Sequence, residues 1–201
     1  MSATITKESL QATGIGAFFR PRDIKPLGVS FRQLQSLVSK GVIEDLGSGL
    51  YRLSEVEPTE LETIAMVASA APNAIVCLLT ALRIYEIGTQ SPHEVWIALD
   101  RKSRKPTRLP AKTHIVRFSG VMLTYGVISR PILGVPVSIT SPARTVVDCF
   151  RYRNKVGIDV AMEALRDSIR TRKANVDEIS RAAEVCRART VMKTYLEALS
   201  A

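Results

Sequence analysis

Residues 18–53 constrain the fold of this chain more than any other segment, because helix, turn and hairpin signals follow one another there at short spacing. Pro21 suits the first turn of a helix, where its missing N–H costs no hydrogen bond. The turn Leu27-Gly28-Val29 then precedes Ser30, a residue type favoured as an N-cap. The sequence therefore predicts two short helices joined by a tight turn, with the second helix over about residues 31–40.

A β-hairpin is predicted directly after the second helix. Residues 42–46 and 50–53 are strand-like runs on either side of Gly47-Ser48-Gly49. The two glycines permit positive φ in a tight turn and a close approach of backbone N–H groups to a phosphate. Helix, turn, helix and hairpin in this order are the pattern of a winged helix-turn-helix, whose second helix reads the major groove of DNA.

The second helix separates apolar from polar side chains at the helical period. Phe31, Leu34, Leu37 and Val38 share one side, which leaves the polar residues on the other. Arginine can pair with guanine, glutamine with adenine, and serine or lysine with the backbone phosphates. We therefore predict that the DNA contacts come from the polar face, from the arginines flanking the first helix and from the hairpin: Arg20, Arg22, Ser30, Arg32, Gln33, Gln35, Ser36, Ser39, Lys40, Ser48 and Arg52. A polar outer face is also the default of any amphipathic helix, so this reading needs the hairpin as support.

Composition narrows the class of protein. The chain has 201 residues, enough for a small module and a larger domain with its own core. Its three cysteines lie far apart and it has two histidines, which argues against a zinc site or a disulfide framework. We expect buried, reduced thiols, no metal, no cofactor and a cytoplasmic location. The uncharged stretch 63–82 contains Pro72-Asn73 in its middle, so two buried helices explain it better than a membrane span.

The net charge of +9 is concentrated in one stretch. Residues 100–117 hold seven basic side chains and one acidic side chain. We call residues 101–108 the basic loop; its cations are Arg101, Lys102, Arg104, Lys105 and Arg108. Such a run can contact nucleic acid or an acidic partner, although a solvated loop would look the same in the sequence.

A larger mixed domain is predicted after a polar boundary near residues 54–59, which divides the chain into domains 1–57 and 58–201. Helices are expected over 60–71, 74–85, 141–152, 156–170, 177–186 and 189–199, and strands over 95–99, 114–118, 122–127 and 135–139. The predicted fold class is therefore α+β, a winged helix-turn-helix followed by a larger mixed α/β domain with a small sheet and C-terminal helices.

Catalytic motifs are weak. The chain carries no P-loop, GxGxxG or GxSxG pattern, and its two histidines do not suggest a triad. The nearest nuclease signal is Asp100 followed by Lys102, where an acid could hold Mg²⁺ and a lysine could steady a water molecule. It lacks a second carboxylate on a matching strand, and an aspartate at a strand end is usually part of a turn. We therefore predict no catalytic residues.

Several motifs in the same order resemble the AbiEi family of bacterial antitoxins. They are GSGLYRL at the end of the hairpin, AIVCLLTALRIYEIGTQSPHEVWIALDRKSRKP, VRFSG, LTYGV and VPVSITSPARTVVDCFRYRNKVGIDVAMEALRDSI. The resemblance implies a winged helix that binds inverted repeats upstream of its own operon, with Arg32, Gln33, Ser36, Lys40, Ser48 and Arg52 as contacts. It further implies a C-terminal domain that neutralises a co-encoded nucleotidyltransferase toxin. Related wings often carry a basic residue between the two glycines, where Ser48 stands here.

The function expected from the sequence is that of an antitoxin, not an enzyme, that represses its own operon and counteracts a nucleotidyltransferase toxin, directly or indirectly. Its partners would be operator DNA and that toxin, and no membrane. The alternative is a stand-alone winged-helix regulator whose second domain senses a ligand or forms an oligomer. The segment Ser141-Pro142-Ala143-Arg144-Thr145 is conspicuous, and a purely structural role would explain it equally well.

Overall fold

The computed structural model describes residues 14–54 and 59–200, with side chains described up to residue 195. The chain forms two compact units. The first comprises residues 1–72, 106–111 and 130–137, and the second comprises residues 73–105, 112–129 and 138–201. These units do not coincide with the predicted division between residues 57 and 58, because later segments of the chain pack with the first unit.

The first unit contains the predicted helix-turn-helix and hairpin. Its elements in chain order are β1 (Phe18–Phe19), α1 (Pro21–Ile24), a 3₁₀ turn (Lys25–Leu27), α2 (Phe31–Ser39), β2 (Ile43–Asp45), β3 (Tyr51–Leu53) and α3 (Glu62–Ala70). The three strands form an antiparallel sheet in the order β1-β3-β2. Helix, turn, helix and wing thus follow one another as predicted, and β1 adds a third strand.

A small core holds this unit together. Leu34 and Leu37 of α2 pack with Ile24, Ile43 and the strand residues Phe19, Tyr51 and Leu53. The ring of Phe19 stacks on that of Tyr51, with centroids 6.0 Å apart. Because the buried side chains of α2 point into this core, the opposite side of the helix is left open to solvent.

Beyond α3 the chain builds a five-stranded sheet and a set of helices. The elements are β4 (Ile75–Val76), α4 (Leu78–Ile84), β5 (Val95–Asp100), β6 (Thr113–Phe118), a 3₁₀ turn (Gly120–Leu123), β7 (Val127–Ile132), β8 (Val135–Thr140), α5 (Pro142–Arg151), α6 (Arg153–Val156), α7 (Ile158–Arg170), α8 (Val176–Val185) and α9 (Arg189–Ser200). The strand order is β6-β5-β4-β8-β7. β4 pairs antiparallel with β5 and parallel with β8. The α+β fold class is confirmed.

Two of the predicted elements are wrong. The helix expected over residues 74–85 begins only at Leu78, because Ile75 and Val76 form β4, the central strand of the larger sheet. The strand expected over residues 122–127 starts only at Val127, as β7, which includes Pro131; before it, Gly120–Leu123 form a 3₁₀ turn and residues 124–126 form a further turn. A two-residue apolar strand flanked by helical residues cannot be distinguished from a helix by periodicity.

The segment Ser141-Pro142-Ala143-Arg144-Thr145 has a structural role. It begins α5, and the side chain of Arg144 is fully buried, with its Nε 3.0 Å from both carboxylate oxygens of Asp148. The same guanidinium donates to the carbonyls of Tyr125 and Met122, at 2.5 and 3.2 Å, and lies over the ring of Phe118. Burial raises the pKa of Asp148 to about 6, while Arg144 acts in the opposite direction. Each of the three nitrogens of this buried cation thereby has a hydrogen-bond partner inside the fold.

The three cysteines are core residues, and the uncharged stretch 63–82 does not form a membrane span. Cys77, Cys149 and Cys186 are buried and form no disulfide, and burial raises the pKa of the first two well above the usual value for a thiol. Within the described ranges, no helix is long and apolar enough to span a bilayer.

Candidate nucleic-acid interface

The outer face of α2 is a compact polar surface. Arg32, Ser36 and Ser39 lie at its centre by helical spacing, and all three are exposed, as is Lys40 at the C-cap. Arg32 and Lys40 have no hydrogen-bond or ion-pair partner among the residues that the structure describes. Ser39 donates its hydroxyl to the Ser36 carbonyl at 2.9 Å. Two cations and two serines are therefore available on one face for a ligand outside the protein.

The beginning of α2 uses two of the predicted contact residues for capping. The Gln33 N–H donates to the Ser30 hydroxyl at 3.3 Å, and the Gln33 side-chain oxygen accepts from the Ser30 N–H at 2.9 Å and from the Ser30 hydroxyl at 2.7 Å. This reciprocal capping box fixes the first turn of the helix. The Ser30 hydroxyl and the Gln33 side-chain oxygen are thus used inside the protein, and the pairing of Gln33 with an adenine stays a prediction. The motif was readable as Ser30-Phe31-Arg32-Gln33.

One member of the predicted apolar face is exposed instead. Phe31 has 67 % of its surface exposed, whereas Leu34 and Leu37 are almost completely buried. The expectation that Phe31 packs inward is wrong, because its position at the start of the helix places it at the edge of the buried stripe. A large aromatic side chain therefore stands beside Arg32 on the outer surface of α2.

The other glutamine of α2 lies toward the wing. Burial and the charge of Asp45 raise the pKa of the Tyr51 hydroxyl, while a side-chain hydrogen bond with Gln35 acts in the opposite direction. Gln35 is nevertheless exposed. It stays at the border between α2 and the wing.

The wing turn, which we define as residues 46–50, has the backbone that the glycines predict. Gly47, Ser48 and Gly49 have φ values of 81°, 53° and 72°. The turn is closed by a bond from the Leu50 N–H to the Gly47 carbonyl at 3.0 Å, and Asp45 accepts from the Gly47 N–H at 2.8 Å. The N–H groups of Ser48 and Gly49 donate to no other residue in the described part of the chain. Unused backbone N–H groups of a turn are donors that an anion can use.

Arg52 forms ion pairs within the protein. Its Nη1 lies 2.8 Å from the Glu62 carboxylate on α3, and its Nε lies 3.5 Å from that of Glu44 on β2. The prediction that Arg52 flanks a phosphate contact finds no support in this geometry. With Glu44 and Asp45 both exposed, the wing itself presents more acidic than basic side chains.

The two arginines at the start of α1, Arg20 at the N-cap and Arg22 in the first turn, differ in exposure. Arg22 is exposed, pairs with Asp23 at 3.4 Å and donates to the Ser69 carbonyl at 3.4 Å. Arg20 is half-buried, and its Nε is buried without a hydrogen-bond partner among the described residues. Arg20 also lines a cavity at the wing turn, together with residues 46–48 and 50, Ala70 and residues 108–110.

The basic loop is divided between the two units. Arg101, Lys102, Arg104 and Lys105 are exposed in the second unit. Their turn is fixed by the Asp100 carboxylate, which accepts from the Lys102 N–H at 2.9 Å, and by Arg117, which donates to the Asp100 and Ser103 carbonyls at 2.9 Å. Asp100 is thus a turn residue. Within the described ranges, no group of three or more acidic, histidine or cysteine side chains is arranged to hold a metal ion.

Arg108 lies elsewhere. It belongs to the first unit and lines the wing cavity described above, although more than fifty residues separate it from the wing in sequence. The sequence could not predict this position of Arg108, because the residues that meet at the cavity are far apart in the chain and no local pattern marks them.

Comparisons with known proteins agree with this geometry. Residues 15–54 match a family of transcriptional regulators described as AbiEi antitoxins, which confirms the predicted family for the N-terminal segment. Among three matching chains of solved structures is the crystal structure of the RV2827C protein from Mycobacterium tuberculosis, with a TM-score of 0.51 and 14 % identity. That match covers 90 % of this chain and 66 % of the other, so the present chain spans about two thirds of that protein's length. This likeness shows the fold. No curated protein matches the sequence.

Proposed function

We propose that this protein is an antitoxin that represses transcription of its own operon by binding inverted repeats in the operator, and that counteracts a co-encoded nucleotidyltransferase toxin. The observation that carries the DNA-binding half is the exposed, unpaired cationic face of α2 within a segment that matches AbiEi regulators. We propose that the protein acts by binding and not by catalysis.

Base recognition would depend on the first turns of α2. The N-terminal residues of a recognition helix are those that reach base edges in the major groove. Arg32 is the second residue of α2, exposed and unpaired among the described residues, so its planar guanidinium is free for a bidentate pair with a guanine. Lys40 and the two serines lie farther along the same face and would hold backbone phosphates.

The position of Arg32 argues for a functional role. The N-terminus of a helix carries a partial positive charge, so a cation in the first turn destabilises the helix by about 0.3–1 kcal/mol. The first turn of α2 contains no acidic side chain to offset it. A residue that costs stability in the free protein is accounted for by a ligand that uses its charge.

Phe31 adds an apolar contact that the sequence had assigned to the core. Aromatic and other apolar side chains contact the C5 methyl group of thymine, which the major groove exposes. Phe31 stands next to Arg32 with most of its surface open. We therefore propose that the operator carries a thymine beside the guanine read by Arg32.

The antitoxin half rests on the AbiEi resemblance, and the second unit would carry it. Its described pockets are shallow surface depressions with mixed polar linings, such as the one formed by residues 177–193 of α8 and α9. A protein partner suits such surfaces better than an enclosed small molecule does.

A second function has one observation in its favour. The family match ends at residue 54, so the second unit has no family match of its own. That leaves room for a stand-alone regulator whose second unit senses a ligand or forms an oligomer.

Two experiments test the proposal. In the first, the protein is expressed beside a reporter driven by the DNA upstream of its own gene; we expect repression that is lost in Arg32→Ala. In the second, a neighbouring nucleotidyltransferase gene is induced with and without this protein, and we expect growth arrest only without it. Repression without any rescue of growth would favour the stand-alone regulator, and no repression would contradict the DNA-binding half.

A further inference from the structure

The wing has no cation of its own to offer a phosphate. Arg52 pairs with Glu44 and Glu62, and Ser48 occupies the tip of the turn. A wing that contacts the DNA backbone nevertheless needs positive charge, because phosphate binding depends on neutralising that charge and releasing counterions.

The structure brings two arginines to the wing turn from other parts of the first unit. Arg20 precedes α1 and Arg108 belongs to the segment 106–111, and both line a cavity of about 50 Å³ with residues 46–48 of the wing. The Nε of Arg20 is buried and donates to no described residue. A buried, unused donor of a charged group is costly, so the protein gains little from Arg20 inside the fold.

The backbone of the turn supplies further donors at the same place. The N–H groups of Ser48 and Gly49 are unused among the described residues, and three successive positive φ values shape the turn around them. The acidic group next to this turn is Asp45, the last residue of β2, and its carboxylate accepts from the Gly47 N–H at 2.8 Å. Two guanidinium groups outweigh this single charge, and backbone N–H groups in a turn are a known setting for anions.

We propose that Arg20, Arg108 and the wing turn form a binding site for one backbone phosphate of duplex DNA. The site rests on the proposed function and deepens it, because it identifies the cations through which the wing contacts DNA. Arg108, and not the residue between the two wing glycines, supplies the exposed charge. Arginine suits this role, since its planar fork can bind two phosphate oxygens at once.

The test uses the full chain, duplex DNA from the region upstream of its gene, and scrambled DNA. Arg108→Ala is compared with Arg104→Ala, which removes an equal charge from the same basic loop but lies outside the cavity. We expect Arg108→Ala to weaken binding to both DNAs by the same factor. It should also lower the slope of log affinity against log salt by about 0.9, the value for one phosphate contact. Arg104→Ala should change that slope less.

Phosphate neutralisation locates the contact. Single methylphosphonate linkages are placed along the operator. The linkage that weakens wild-type binding near the wing should have a smaller effect on Arg108→Ala, which has lost one of the cations at that phosphate, and its full effect on Arg104→Ala. Arg20→Lys keeps the charge but loses the planar fork of the guanidinium, and it should weaken binding at the same linkage.

The outcomes are distinct. Equal effects of Arg108→Ala and Arg104→Ala on the salt slope and on the linkage profile would overturn the wing site while leaving operator binding intact. Equal binding of operator and scrambled DNA by the wild-type protein would overturn the proposed function, whereas the wing site, which contacts a phosphate on any sequence, is tested by the salt slope of Arg108→Ala on either DNA.

Discussion

The recognition helix α2 and the wing differ in how their charged side chains are used. On α2 the cations Arg32 and Lys40 have no partner among the described residues, whereas the one arginine of the wing is held by Glu44 and Glu62. An unpaired surface cation stays available to a ligand, while a paired one must first be separated from its carboxylates. This difference supports the proposal that α2 reads DNA and that the wing depends on arginines from outside its own strands.

The largest expected effect belongs to Arg32. Arg32→Ala should weaken operator binding by about 1–3 kcal/mol, or about 5- to 140-fold, and relax specificity at one base pair. Its thermal stability should be unchanged or slightly higher, because the substitution removes a cation from the positive end of the helix dipole. Fluorescence anisotropy and a melting curve measure the two quantities.

Lys40→Ala is the matched control on the same helix. It should lower the affinity for operator and for scrambled DNA by the same factor, since a phosphate contact carries no sequence information. If both variants lose affinity equally on both DNAs, the division of α2 into a base-reading start and a phosphate-binding end is wrong.

A smaller effect is expected from Phe31. Replacing the relevant thymine by deoxyuridine removes one methyl group and should weaken wild-type binding about fourfold, the worth of one buried methyl group. Phe31→Ala should bind both duplexes equally, because the side chain that contacts the methyl group is gone. Discrimination that persists in Phe31→Ala would assign the methyl contact to another residue.

A substitution can also add a cation to the wing, where the preceding ones remove a side chain. Ser48→Arg places a basic residue between the two wing glycines and should raise the salt slope by about 0.9 if the new cation reaches a phosphate. Ser48→Gln, which has a long polar side chain without charge, is the control and should leave the slope unchanged. An equal response of the two variants would mean that the tip of the wing does not reach the DNA backbone.

The smallest effect on DNA is expected from Arg52. Arg52→Ala should leave operator affinity nearly unchanged but lower the free energy of unfolding by about 0.2–1 kcal/mol, because its partly exposed ion pairs are structural. Urea denaturation measures the stability. A loss of DNA affinity comparable to that of Arg32→Ala would restore Arg52 to the interface and contradict the contrast between helix and wing.

Local signals predicted the winged helix-turn-helix well. Ser30 as the N-cap and the positive φ at both wing glycines followed from residue preferences that act over a few positions. The capping role of Gln33 was also local, and the Ser-x-x-Gln spacing could have revealed it. Phe31 was misassigned because periodicity identifies a buried stripe but not the residue at its edge.

Contacts between segments that are distant along the chain could not be predicted from the sequence. The Arg52–Glu62 pair, the placement of Arg108 at the wing and the full burial of Arg144 all depend on tertiary packing. The strand β4 was missed for a similar reason, because its two residues are defined by pairing with β5 and β8 and not by their own pattern.

The most direct test of the central claim is a fluorescence-anisotropy titration of the full-length protein against the DNA directly upstream of its own gene, beside scrambled DNA, at two salt concentrations. We predict tight binding to the upstream DNA and a preference over scrambled DNA that persists at the higher salt concentration, because base contacts by α2 are less sensitive to salt than phosphate contacts. Weak binding that is equal on both DNAs and disappears at the higher salt concentration would contradict the account, since it would show that only the net positive charge of the chain is acting.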